Sequence, residues 1–213
     1  YIGSSNSYNI CIDSLKQLQN RGYDSAGICS LLNENFKIYK FASKTKKSSL
    51  DRLEIYKSEH DKSILSIGHT RWATHGAKND INSHPHISSD GLFTLVHNGI
   101  IENYKIIKKM LIDNGYTFKS ETDSEVIVNL LSYFYNKNGE NVTKAIQSSI
   151  EILEGTWGLA ILCKKEPNKL YATRHGSPIL IGMNDSGVLV TSEHSGFCNL
   201  ATNYFVLQNN DVA

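Results

Sequence analysis

Residues 68–76, GHTRWATHG, place two histidines, an arginine, a tryptophan and two threonines between two glycines, directly after the apolar run ILSIG. Arg71 carries a planar fork of N–H donors that matches a carboxylate, and Thr74 and His75 can bond a second polar group beside it. A plainer reading makes this a surface loop, with Arg71 in a salt bridge and Trp72 plugging the core. In VHNGIIEN, Asn98 and Gly99 follow the strand-like LFTLV. Asn-Gly is a strong hairpin signal, but IIENYKIIKKML turns to a helical pattern, and an Asn amide beside a Gly N–H can also form an oxyanion hole. In SETDSEV, Thr122 to Glu125 fits a capping box, and Asp123 in the first turn favours the helix dipole. The same carboxylate would suit an ammonium group. A fourth cluster, RGYDSAG at residues 21–27, reads as a turn in which Asp24 and Ser25 bond local backbone. Together the clusters offer a carboxylate binder, an ammonium binder and an oxyanion hole, the parts needed to hold a free amino acid and polarise its side-chain carbonyl. No nucleophile stands among them.

The elements that must position these groups are partly visible in the apolar spacing. Val126, Ile127, Leu130, Leu131 and Phe134 form one helix face, and Ile106, Ile107, Met110 and Leu111 form another, ended by Asn114-Gly115. Further helices are expected over 142–153, with Val142, Ile146, Ile150 and Leu153 inward, and near 7–20, stopping at Arg21-Gly22. An exposed helix with an adjoining loop is expected near 43–60. Short strands are expected at AGICSLL, FKIYKFA, ILSIGHT, LFTLVHN, TWGLAILC, KLYATR, SPILIG, GVLVTS and YFVLQ. Strands, then helices, then strands again imply an α+β fold with antiparallel sheets covered by helices.

Composition narrows the class. With 213 residues, 40% hydrophobic and 20% charged, the chain suits one folded domain. A net charge of +1 argues against a nucleic-acid binder or a polybasic membrane anchor. No apolar run approaches the roughly 20 residues of a membrane span, and the start lacks the pattern of a signal peptide. Cys11, Cys29, Cys163 and Cys198 form no CxxC pair, so the expectation is a reduced, cytoplasmic protein without metal or cofactor. A hydrolase built on Cys198 and His194 would lack a third group to orient the histidine.

RGYDSAG, GHTRWATHG, NSHPH, HNGIIEN, YTFKSETDSE and TRHGSPILIG, in this order along nearly the whole chain, resemble the glutaminase domain of the glucosamine-6-phosphate synthase family, among the class II glutamine amidotransferases. The resemblance implies an N-terminal-nucleophile hydrolase fold, a four-layer αββα sandwich of two antiparallel sheets. It implies that a terminal cysteine, with its own α-amine as general base, attacks the glutamine amide and yields glutamate and ammonia through a thioester. By carry-over Arg71 binds the α-carboxylate of glutamine and Asp123 its α-ammonium. Thr74 and His75 line the pocket, Trp72 gates the ammonia passage, Asn98 and Gly99 form the oxyanion hole, and Arg21 supports the nucleophile end. His84 and His86 match a motif without an assigned role.

The resemblance also sets expectations beyond residues 1–213. The cysteine would precede Tyr1, so the first few residues of the domain are expected to be missing here. Sugar isomerase domains of the same polypeptide, acting on fructose-6-phosphate, would follow Ala213, and the full-length enzyme would be a homo-oligomer. The alternative is a module without a nucleophile that binds glutamine or glutamate and regulates a partner.

Overall fold

The computed structural model describes residues 1–4, 6–19, 22, 24–44, 48–72 and 77–213. In chain order the elements are β1 (Ile2–Gly3), α1 (Ser7–Gln17), β2 (Ser25–Leu32), β3 (Asn35–Ala42), α2 (Ser49–Glu54), β4 (Ser66–Arg71), β5 (His86–Ile87) and β6 (Phe93–Ile101). Then follow α3 (Tyr104–Asp113), α4 (Asp123–Lys137), α5 (Val142–Ile150), β7 (Gly155–Cys163), β8 (Tyr171–His175), β9 (Leu180–Asn184), β10 (Gly187–Thr191) and β11 (Tyr204–Val206). Short 3₁₀ turns cover Lys57–His60 and His194–Phe197.

All strand pairs are antiparallel. One sheet has the order β5-β6-β7-β8. The ladders β3-β2-β4 and β1-β10-β9-β11 join into a second sheet where the first residues pair with those leading into β4. The Tyr1 amine donates to Ser66 O at 2.8 Å, Ser66 N–H to Tyr1 O at 3.0 Å, and Gly3 N–H to Ile64 O at 2.9 Å. Two sheets therefore exist, as the α+β reading expects.

The sheets stack with helices outside. On β2, Ala26 and Ile28 face α1 and α2 together with Leu15, Leu50 and Leu53, whereas Cys29 and Leu31 turn inward to meet Ile67, Val96 and Leu162. This alternation is the two-residue period of a strand buried on both faces. On β6, Phe93 and Leu95 pack outward against α4, which also contacts α3 and α5. The layers run helix, sheet, sheet, helix. α4 is buried almost all round through its first ten residues, because a sheet lies on one side and two helices on the others.

Most expected elements form within a few residues of the places the apolar spacing indicates. The first helix ends at Gln17 with Leu18 as its C-cap, earlier than Arg21-Gly22, and the described residues of 43–60 hold a six-residue helix, which buries Leu50 and Leu53 rather than lying fully exposed, and a 3₁₀ turn. Asn98-Gly99 makes no hairpin: β6 runs through it to Ile101, because β7 pairs along the whole strand from Phe93↔Cys163 to Ile101↔Gly155. The Thr122 hydroxyl caps α4 by accepting from Glu125 N–H at 3.3 Å. The return half of the expected capping box goes elsewhere: the Glu125 carboxylate accepts from Lys119 N–H at 2.9 Å and Ser120 N–H at 2.6 Å.

Leu130 is fully buried in the cluster beneath β6. Leu130→Ala should lower the unfolding free energy by about 2–5 kcal/mol, seen as a shifted urea midpoint at constant slope; a loss under about 1 kcal/mol would show that this helix does not anchor the sheet.

Candidate functional site

The polar clusters meet where the facing strands β4 and β6 run past the apolar contacts of Ile67 and Val96. On the inner face of β4 the period-two series is Ile67, His69, Arg71; on β6 it is Val96, Asn98. His69 Nε2 and Asn98 Oδ1 lie 2.9 Å apart, bridging the two sheets. A cavity of about 220 Å³ opens here, with Tyr1, Arg71, Trp72, Asn98, Gly99 and Asp123 among its lining residues.

Each group is held from a different element. Arg71 ends β4 opposite Ser25, is 5% exposed, and accepts Asp24 N–H at its carbonyl, 3.1 Å away. Burial pushes its pKa down, while Asp24 and Asp123 nearby push it up; a guanidinium stays charged under either influence. Asp24 is itself bound by Lys78 Nζ at 2.7 Å. Asp123 opens α4 and is 5% exposed; its Oδ2 accepts Ile101 N–H at 2.9 Å, locking the helix start to the end of β6. Gly99 sits in β6 opposite Trp157 with φ +136°, and a Cβ there would lie 2.1 Å from Thr156 O. Only glycine fits that backbone and that approach.

Behind these residues four histidines are buried. His84 Nε2 lies 2.8 Å from Ser124 Oγ, His97 Nδ1 3.0 Å from the same oxygen, and His86 Nε2 3.1 Å from Thr122 Oγ1. Burial lowers the pKa of His69 to about 4 and those of His84 and His86 well below the usual value. Burial lowers His97 as well, against an opposing pull from Asp123. Neutral rings have one proton each, which fixes the pattern. His97 Nε2 faces Thr156 O at 3.3 Å and so carries the proton. Its Nδ1 then accepts the Ser124 proton at 3.0 Å, nearer than the competing Asp123 Oδ1 at 3.5 Å, and the Ser124 oxygen accepts from His84. The 3.9 Å approach of His97 to Asp123 is accordingly not an ion pair. The segment carrying His84 and His86 is fastened by Lys40, whose ammonium donates to Ile81 O, Ser83 O and Pro85 O at 3.1, 2.7 and 3.1 Å. It runs close over β2: a Cβ at Gly27 would meet His84 O at 2.1 Å.

Of the residues expected from the sequence, Arg71, Trp72, Asn98, Gly99 and Asp123 come together on the cavity. Trp72 is 59% exposed at the rim. Arg21, Thr74 and His75 lie outside the described residues. The Cys198 and His194 pair finds no support: Cys198 Sγ faces Ser14 Oγ at 3.9 Å, burial raises its pKa, and the His194 ring packs against Phe197 and Tyr204. Sequence reasoning missed His69, His97 and Ser124. The signal for His69 was available in its place midway between Ile67 and Arg71 on one strand face.

Residues 69–199, more than half of the chain, match the family profile described as Glutamine amidotransferase domain, and the chain belongs to that family. It is 40% identical over its whole length to 34% of a glutamine–fructose-6-phosphate aminotransferase [isomerizing] of Caldanaerobacter subterraneus subsp. tengcongensis. It is 41% identical, over 94% of its length, to 33% of a probable enzyme of the same name from Acanthamoeba polyphaga mimivirus. The chain thus spans about a third of the length of the curated relatives it matches. Among solved structures, the glutamine phosphoribosylpyrophosphate amidotransferase from B. subtilis superposes with a TM-score of 0.81 at 23% identity, over 99% of this chain and 45% of that one. The fold is the αββα sandwich of the N-terminal-nucleophile hydrolases.

The buried histidines make stability depend on pH. His69 and the separate His60, both lowered by burial from 6.5 to about 4, stay neutral in the fold where the unfolded chain takes up protons. Their contribution is complete above pH 6.5 and is lost as pH falls toward 4. The thermal midpoint should therefore fall continuously across that window in calorimetry; an unchanged midpoint down to about pH 4.5 would contradict neutral, buried rings.

Proposed function

We propose that this chain is the glutamine-hydrolysing part of a glutamine–fructose-6-phosphate aminotransferase. The observation that carries the reading is the convergence of Arg71, Asp123, Asn98 and Gly99 on one cavity that Tyr1 also lines. Arg71 takes the α-carboxylate of glutamine and Asp123 its α-ammonium, which leaves the side-chain amide to reach toward Asn98 and Gly99. A cysteine preceding Tyr1, activated by its own α-amine, attacks the amide carbon. The Asn98 side-chain N–H and the Gly99 backbone N–H stabilise the oxyanion. Ammonia leaves and water hydrolyses the thioester to glutamate. Trp72 at the rim covers the exit, and Thr74, His75 and Arg21 complete the pocket and the nucleophile end.

In the whole protein the ammonia goes to fructose-6-phosphate, held by sugar isomerase domains of the same polypeptide, to give glucosamine-6-phosphate. The resemblance of the chain to enzymes of that name supports this reading. A cytoplasmic setting suits four free cysteines and the absence, among the described residues, of a helix long and apolar enough to cross a membrane.

Two substitutions in the complete polypeptide separate binding from chemistry. Arg71→Ala should weaken glutamine binding by about 2–5 kcal/mol in calorimetry while the melting curve stays cooperative; unchanged affinity would refute the carboxylate assignment. Asn98→Ala should lower kcat by about 100- to 1000-fold with a smaller effect on KM. A loss confined to KM would place Asn98 in ground-state binding instead.

A further inference from the structure

An amide oxyanion donor works only if its NH2 end faces the substrate. Asn98 has two ends of nearly equal size, so something must decide which one turns into the cavity. Among the described residues, the side chain that hydrogen-bonds Asn98 is His69, through Nε2 and Oδ1 at 2.9 Å. We propose that His69 is a positioning residue for the glutaminase reaction: its Nε2–H holds Oδ1 of Asn98 and thereby presents the Asn98 NH2 to the substrate amide. This inference rests on the glutaminase reading of the site.

The ring can hold Asn98 in two ways, and its surroundings select one. If Nε2 carried the lone pair, it would accept from the Asn98 NH2 and turn the carbonyl oxygen toward the developing negative charge. The single proton of the ring would then sit on Nδ1, which is buried without a hydrogen-bond partner. An orphaned buried N–H is the rarer and costlier outcome; a bare lone pair beside an aromatic ring is better tolerated. The neighbour on that side is His84, its ring centroid 4.2 Å from that of His69. The proton therefore belongs on Nε2, where it is used.

The ring is also prevented from turning. His69 is 9% exposed on β4, packed against His84, and His84 is in turn pinned to Ser124 at 2.8 Å. Ser124 follows Asp123 on α4. The orientation of the oxyanion donor and the place of the ammonium binder thus depend on one connected set of side chains, from β4 and the His84 segment to the first turn of α4.

The test is a kinetic cycle in the complete polypeptide, with glutamine hydrolysis read as kcat and KM separately. His69→Leu should lower kcat about 10- to 100-fold with KM within about twofold, part of what losing an oxyanion donor costs. His69→Gln, which keeps an N–H able to reach Oδ1, should recover most of that loss. In the Asn98→Ala background, His69→Leu should cost less than about twofold, since there is no amide left to orient. Losses that multiply, or a glutamine variant as impaired as the leucine variant while folded, overturn the proposal. If His69→Leu fails to fold, two-bond ¹⁵N–¹H spectra of the unaltered protein at pH 7 decide: the Nε2–H tautomer for His69 supports it, and the Nδ1–H tautomer overturns it. A parent enzyme with no glutaminase activity would count against the proposed function instead, and the spectra would still report on His69.

Discussion

The two-residue period of β4 and β6, facing each other between the sheets, is the constraint on which the site depends. A strand buried on both faces presents every second residue to the same gap. At one end of that gap the residues are Ile67 and Val96, joined by Cys29, Leu31, Leu65 and Leu162 in a closed apolar cluster. One period further, the same faces present His69 and Asn98, and then Arg71. The change from apolar to polar happens within a single strand step, so the cluster that holds the sheets together also sets the distance across the site. A slip of one residue in β2 against β4 would turn Arg71 out to the helix side and bring Thr70 inward. The register Ser25↔Arg71 is therefore as much a part of the site as the guanidinium is.

Charge in so closed a space has to be balanced. Arg71 is flanked by Asp24 and Asp123, and Lys78 binds Asp24 from the other side. Neutral histidines fill the rest, each held by a hydroxyl, an amide or a carbonyl rather than by a carboxylate. Had these positions been lysine, the gap would hold several unpaired cations at a large desolvation cost. A zwitterion brings one charge of each sign, to a guanidinium at one wall and a carboxylate at another, and leaves the net charge of the cavity unchanged. That balance supports the proposal of a free amino acid, rather than a lone anion or cation, as the occupant.

What could be read in the sequence follows from the range of the interactions involved. The faces of α4 and α5 repeat within a few residues and are visible locally, as is the Thr122 cap; on α3 the structure buries Ile107 and Leu111 of the expected face but leaves Ile106 exposed. Arg71 stands out because a cation is unusual beside a strand-like apolar run, whereas Asn98-Gly99 and Asp123 each have an ordinary local reading and suggest a site only when taken together. Asn98-Gly99 as a hairpin is what local preference favours, but β7, more than fifty residues away, supplies a ladder that overrides it. The second half of the capping box fails for a similar reason: two backbone N–H groups of the preceding loop reach Glu125 first. The roles of His69, His84 and His97 were hidden because a histidine has no fixed partner by type. Only the packed structure says which nitrogen meets a carbonyl and which meets a hydroxyl.

At Asp123 the proposed recognition of substrate and the folding of the chain meet. As the first residue of α4 its charge favours the helix N-terminus. Its Oδ2 is taken by the N–H of Ile101, the last residue of β6, so the strand carrying Asn98 and Gly99 ends where the carboxylate begins. The neighbouring Ser124 accepts from His84 and donates to His97, tying the same turn to the segment held by Lys40. The Asp123 carboxylate lines the cavity and is at the same time a structural splice between strand and helix. In the proposed reaction a substrate ammonium bound to it would be positioned relative to Asn98 and Gly99 largely by backbone geometry, with little left to side-chain freedom.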